Sequence, residues 1–240
     1  MTYDIEFHWD PVCPFAWITS RWVEKIVAQK SYSVDWQFIS LRLLNRDKDY
    51  ATEFPPDYER GHTAGLRMLR VAAALRADQG RDTMGPLYTA YGESIWDREP
   101  AGDAPSQRNH LGSHNQIAGV LGSLGHDVAL AAEADNAWWD DEITAETDYA
   151  LSRTGRDVGT PIVSFHPPEG PSFFGPVISR VPNDADAVEL WDSVIKLATF
   201  PGFSELKRSL REAPQLRVLG ATPDEDHIIH EDWQGGARRA

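Results

Sequence analysis

A single cysteine at a strand-to-helix junction constrains this chain more than any other feature. Tyr3, Ile5, Phe7 and Trp9 alternate with Asp4, Glu6 and His8, the period-two pattern of a half-buried strand. Asp10-Pro11 ends that strand, and Cys13-Pro14 opens a stretch with an apolar stripe at Ile18, Trp22 and Ile26, flanked by Trp17 and Val23. Proline is favoured at the first helical position, where its missing N–H would be unpaired anyway. The spacing therefore predicts Cys13 at the N-cap of a helix. Val34 to Ile39 reads as a second strand, so the first 41 residues predict strand–helix–strand with parallel strands.

The cysteine has two readings. At a helix N-terminus, unpaired amides and the positive dipole end favour thiolate over thiol, and reactive cysteines so placed have pKa values from ~3.5 to ~7.5. A thiolate attacks disulfides and electrophilic carbons. The other reading is that of a small buried hydrophobe, the usual fate of a free cysteine. Because Cys13 is the only cysteine of the chain, an internal disulfide and an all-cysteine metal site are excluded.

Beyond residue 45 the chain is polar and irregular to about 56, then helical. Leu66, Leu69 and Ala73 predict one amphipathic helix, and Leu87, Tyr91 and Ile95 a second. Residues 97–113 read as a polar loop; 117–124, 128–139 and 144–153 read as three further helices. Strands return at 161–165 and 172–174, followed by a helix at 184–199 and another expected at 202–211. From about 214 periodicity is lost, and 213–240 reads as a surface-draped tail. Gly159-Thr160-Pro161 opens the third strand. Proline is tolerated at strand starts, and its peptide there is either an ordinary trans bond or the rarer cis form.

The composition excludes several function classes. The 240 residues carry 23 basic and 37 acidic side chains, a net charge of −14. That argues against binding nucleic acid or anionic membranes, which need a basic surface. No run of 18 apolar residues and no export signal is visible, so a cytoplasmic protein is expected. No phosphate-cradling or dinucleotide glycine motif occurs, nor a serine-hydrolase elbow, so no nucleotide cofactor is expected. His110 and His114 have a helix-compatible metal spacing but flank Gly112 in a loop, and His227 and His230 lie among acids, so no metal is expected. Trp138-Trp139 reads as core packing, with the insertion's inner wall or a homodimer contact as the alternatives.

Strand–helix–strand with Cys-Pro at the helix start, a helical insertion, and Gly-Thr-Pro opening a strand–strand–helix unit resembles the DsbA-like branch of the thioredoxin superfamily. The run Phe7-His8-Trp9-Asp10-Pro11-Val12-Cys13-Pro14-Phe15-Ala16-Trp17-Ile18-Thr19-Ser20-Arg21-Trp22 is similar to F-D-P-x-C-P-W-C-W-I-T-S-R-W, found in the actinobacterial mycothiol-dependent nitroreductase group. Ser40-Leu41 with Leu44-Asn45, Pro86-Leu87-Tyr88, Asp157 to Pro161 and Phe173 to Val177 extend the likeness, as do Leu190-Trp191-Asp192 and Glu205 to Arg208. It spans about residues 5–210.

The resemblance implies an α/β thioredoxin-like fold, residues 1–45 and 155–212, with an all-helical insertion at 46–154. It implies a thiol-dependent oxidoreductase with Cys13 as nucleophile. A low-molecular-weight thiol, mycothiol or else glutathione, would be bound by Thr160, a cis Pro161, Pro14, Phe15, Trp17 and Asn45. Trp9 and Asp10 are the implied substrate contacts, with a core position for Trp9 and a loop cap for Asp10 as the alternatives, and His8 either serves proton transfer or is a satisfied strand histidine. The substrate would be a small electrophile held under the helical insertion. One departure matters: Ala16 stands where dithiol members carry a second cysteine. A mixed disulfide on Cys13 would then need an external thiol to resolve it. Two alternatives stay open: a kappa-like thiol transferase or isomerase, and a non-catalytic binding protein of the same fold.

Overall fold

The computed structural model describes residues 3–99, 110–207, 211–221 and 230–231. The expected strand–helix–strand opens the fold: β1 (Ile5–Trp9), α1 (Pro14–Lys30) and β2 (Val34–Phe38), with β1 and β2 parallel and Phe7 beside Trp36. Then come α2 (Leu41–Leu44), α3 (Tyr50–Glu53), α4 (Tyr58–Gln79), α5 (Met84–Trp96), α6 (His114–Ser123) and α7 (Asp140–Thr154). The chain returns through β3 (Ile162–Phe165) and β4 (Ser172–Phe174) to α8 (Asp184–Thr199). The four strands form one sheet, ordered β2-β1-β3-β4, with β3 antiparallel to both its neighbours. This is a thioredoxin-like α/β fold with a helical insertion between β2 and β3.

The two faces of the sheet differ in chemistry. Ile5, Phe7, Trp9, Trp36 and Phe38 form an apolar face that merges with one aromatic core. In that core Trp9 stacks on Tyr88 of α5 at 4.4 Å, and Trp22 of α1 meets Trp191 of α8 edge-on at 5.3 Å. Such pairs add ~0.5–1.5 kcal/mol each beyond the area they bury. The other face carries Glu6, His8, Asp35, Gln37 and Ser164, all buried. Part of it lies under α7: Glu146 accepts from the Phe38 N–H at 2.6 Å, Thr147 accepts from the Ser40 N–H at 3.0 Å, and Tyr149 lies 6.0 Å from the His8 ring. Because β2 is an edge strand, those side chains occupy amides that would otherwise be open to another chain.

Three expectations are corrected. Residues 128–139 are not an α-helix but two 3₁₀ segments, Val128–Asp135 and Ala137–Trp139. The reason is visible in spacing: the buried side chains Ala131 and Ala134 are three apart, the 3₁₀ period, and Asn136 N bonds Glu133 O. Residues 203–207 are not helical, and 208–210 lie outside the described residues. Pro201-Gly202 stops α8, and Leu206 is 80% exposed, so no buried stripe exists to hold a helix there. Residues 211–221 of the expected tail pack on the fold rather than draping over it: Leu216 is buried, Gln215 N donates to Ser179 O at 2.7 Å, and β5 (Arg211–Glu212) pairs with β6 (His230–Glu231). No helix among the described residues is long and apolar enough to cross a membrane.

Candidate active site

Cys13 is the N-cap of α1, with extended backbone and Pro14 at the first helical position. Its Sγ accepts from the Ala16 N–H at 3.4 Å, as helix-start geometry requires. The Sγ–H donates to the Thr160 carbonyl at 3.3 Å, a contact between positions 147 residues apart. The Thr160–Pro161 peptide that follows is cis, and the Thr160 hydroxyl donates to His8 O at 3.4 Å. The structure thus brings Cys13, Pro14, Phe15, Thr160 and Pro161 to one place.

The opposite wall comes from the insertion, and two glycines set how close it sits. A Cβ on Gly65 of α4 would lie 2.5 Å from Asp10 Oδ1 and 2.8 Å from Val12 Cγ2. A Cβ on Gly92 of α5 would lie 2.1 Å from the Trp17 ring. Trp96 adds a tether, its indole N–H donating to Pro11 O at 3.1 Å. These residues were not read from the sequence as part of the site. The available signal was glycine inside a helical pattern, which marks a close approach.

The enclosure changes the chemistry of the sulfur. Cys13 is 6% exposed, and burial pushes its thiol up to about 12. The amides of Ala16 and Phe15 pull the other way, and the nearby Asp10 charge adds to the rise. Burial thus works against the thiolate that the helix start favours. Helix-terminal effects reach ~2 kcal/mol at most, whereas full burial shifts a pKa by several units at ~1.4 kcal/mol each.

Other expected site residues also move. Trp9 is fully buried in the aromatic core, the alternative reading of that residue. Asp10 is likewise buried: its carboxylate accepts from Val12 N at 3.0 Å and Leu41 N at 2.7 Å, fixing the turn before Cys13 and the start of α2. Burial raises Asp10 to about 7 against those two hydrogen bonds. Trp17 is a buried wedge between α1 and α5, its indole N–H 3.4 Å from Asp97 and Arg21 over its ring at 4.1 Å. Asn45 caps its own helix, donating to Leu41 O at 2.9 Å. His8 is buried, with Nδ1 3.5 Å from Phe38 O and Nε2 3.6 Å from Glu6. His114 faces Asp135 at 2.8 Å, while His227 lies outside the described residues, as does the side chain of His230. Trp138 is not core: it is 72% exposed. A depression of about 480 Å³ on the outside of α8, lined by Val188, Glu189, Asp192 and Lys196 among others, shares no residue with this site.

Residues 12–208 match the family described as "Rv2466c-like: Mycothiol-dependent nitroreductase Rv2466c". The chain belongs to this family. Its members are thiol-dependent oxidoreductases, and the chain is an enzyme of that type. A relative from Mycobacterium tuberculosis (strain ATCC 25618 / H37Rv), named "Uncharacterized protein Rv2286c", is 29% identical over 233 residues, 95% of this chain and 91% of that one. Among solved structures, the cytosolic disulfide reductase DsbM from Pseudomonas aeruginosa superposes with a TM-score of 0.50 at 12% identity, covering 81% of this chain and 99% of its own. The same reductase solved with GSH gives 0.50 and 12%, over 80% and 99%. At that identity the likeness to DsbM concerns the fold alone.

Proposed function

We propose that this protein is a monothiol oxidoreductase in which Cys13 exchanges with a low-molecular-weight thiol, mycothiol by family, to reduce or conjugate a small electrophile. The observation that carries this reading is the Cys13 sulfur at the α1 N-cap, 3.3 Å from the carbonyl of Thr160. In the reductive cycle Cys13 forms an S–S bond with one small thiol, and the two electrons and two protons pass to the electrophile. A second small thiol attacks that bond and leaves as the small-thiol disulfide, restoring Cys13. The external thiol is required because Ala16 offers no second sulfur. Pro14, Phe15, Thr160 and Pro161 line the thiol's place, with the insertion as the opposite wall. The glutathione present with DsbM supports the same class of ligand. We assign the enzyme to the cytosol, where a lone cysteine stays reduced.

A second reading has its own observation. The thiol donates its hydrogen to Thr160 O at 3.3 Å, so Cys13 is equally placed to orient a bound small thiol for transfer or isomerisation without forming a disulfide. One experiment separates the two. Oxidised protein incubated with mycothiol or glutathione is weighed by mass spectrometry, and turnover of Cys13→Ser is measured. Exchange requires one adduct on Cys13 and turnover of the variant at the uncatalysed background. Absence of the adduct, with activity surviving in Cys13→Ser, replaces redox exchange by transfer.

A further inference from the structure

β4 carries two successive phenylalanines that face opposite ways. Phe173 packs on the main core and stacks on Phe203, ring centroids 6.2 Å apart. Phe174 is 43% exposed. Alternation along a strand accounts for the opposite facing. It does not account for the residue, because outward positions on an edge strand are usually guarded by polar or charged side chains. A single exposed ring needs no explanation by itself; the place of this one does.

Phe174 is opposite Ile162 in the β3–β4 ladder, yet its ring reaches back beyond that position. A Cβ on Gly159 would lie 3.6 Å from Phe174 Cε2 and 3.8 Å from Cζ. Those are ordinary contact distances, so the far edge of the ring rests on Gly159. The next residue is Thr160, whose carbonyl takes the Cys13 thiol hydrogen at 3.3 Å. Consecutive Cα atoms are about 3.8 Å apart, so the ring lies about one residue from the segment that touches the sulfur. The chain after Phe174 is anchored twice. Gly175 N donates to Pro161 O at 2.8 Å, and Pro176 O accepts from Thr19 Oγ1 of α1 at 2.8 Å. An exposed aromatic ledge is thus fixed to the same two segments, the entry to β3 and α1, that hold Cys13.

We propose that Phe174 is a specificity residue of this site: its ring stacks on the sugar portion of mycothiol when that thiol's cysteine end lies at Cys13 and Thr160. Beyond its cysteine, mycothiol carries two polyhydroxylated six-membered rings whose C–H groups form apolar faces. An aromatic ring is negative on its face, which attracts such C–H groups and repels carboxylates. Glutathione presents a peptide with two carboxylates instead and gains nothing from the ledge. Discrimination between the two small thiols then lies with Phe174. This deepens the proposed function and rests on a small thiol being bound beside Thr160.

The test measures calorimetric binding of S-methyl mycothiol and S-methyl glutathione, which bind without exchanging, to the full chain. Phe174→Ala removes the ledge; Phe174→Leu keeps apolar bulk without a ring face, in case truncation disturbs β4; Phe174→Tyr keeps the ring. The expected result is a loss of mycothiol-analogue affinity of about three- to tenfold in the Ala and Leu variants, with the Tyr variant at the wild-type value. Binding of the glutathione analogue is expected to stay the same in all of them. Unchanged affinity for the mycothiol analogue in both variants overturns the proposal, as does an equal loss for the two analogues or no binding of the mycothiol analogue to wild type. Failure of the exchange reading looks different: the mycothiol analogue binds and discriminates as expected, while free mycothiol leaves no adduct on Cys13 by mass spectrometry.

Discussion

The two walls around Cys13 are built from different kinds of interaction. On the sheet side the sulfur meets backbone: the Ala16 amide, three residues away in sequence, and the Thr160 carbonyl on the approach to β3. On the insertion side the residues flanking the cysteine meet bulk: α4 seats against Asp10 and Val12 through Gly65, and α5 against Trp17 through Gly92. The Ala16 amide favours charge on the sulfur, whereas the Thr160 carbonyl, which takes the thiol proton, and burial oppose it. Burial is the largest of these influences, because desolvation outweighs a helix terminus. A cysteine at a helix start is thus activated only to the extent that the tertiary structure leaves it wet.

The largest effect expected from breaking this arrangement comes from Asp10, which touches both walls. Burial holds its carboxyl at about 7, above the unfolded value near 4. Between those values the folded state binds the proton more tightly than the unfolded chain. Its contribution to stability is therefore fully present below about pH 4 and is lost as pH rises through about 7. The change is on the order of 4 kcal/mol for a shift of about three units. Asp10→Asn should flatten that slope in urea midpoints measured from pH 4.5 to 7.5. It should also speed Cys13 alkylation at fixed pH, since the Asp10 charge raises the thiol. A wild-type protein that gains stability relative to the variant over this range would sink the assignment.

Gly92→Ala attacks the insertion wall alone. The new methyl would overlap the Trp17 ring at 2.1 Å, and that ring is itself buried against Tyr88, so neither side yields easily. Overpacking of this kind costs typically ~1–3 kcal/mol. If α5 is what keeps the sulfur dry, the variant should also alkylate faster than wild type at the same pH. Lower stability with unchanged alkylation would show that α5 closes the core but not the site.

How far the site was legible divides along the same line. β1, Cys13 at the N-cap, α1 and the β3–β4 hairpin follow from period-two alternation, a proline at the first helical position and turn residues, all of them local signals. The burial of Asp10 was not legible, because nothing within β1 says that α4 packs over its end. Nor was the role of Gly65, a residue 55 positions from the carboxylate it accommodates. The 3₁₀ segment at Val128–Asp135 was misread because alanines three and four apart both fit an α-helical stripe until the partner helix is known. Interactions between distant segments decide these cases, and one sequence does not display them.

The smallest effect comes from making the Gly92 change where no wall exists. Gly119 lies mid-way along α6, exposed, with nothing within 4 Å of the position a Cβ would take. Glycine inside a helix loses more backbone freedom on folding than alanine, by roughly 0.5–1 kcal/mol, and no packing term opposes the replacement here. Gly119→Ala should therefore stabilise by about that amount, opposite in sign to Gly92→Ala, and leave Cys13 alkylation unchanged. Thermal midpoints of the two variants side by side check the argument. A Gly92→Ala protein as stable as Gly119→Ala would mean that the contact between α5 and Trp17 is loose, and that the sulfur is shielded by something other than the insertion.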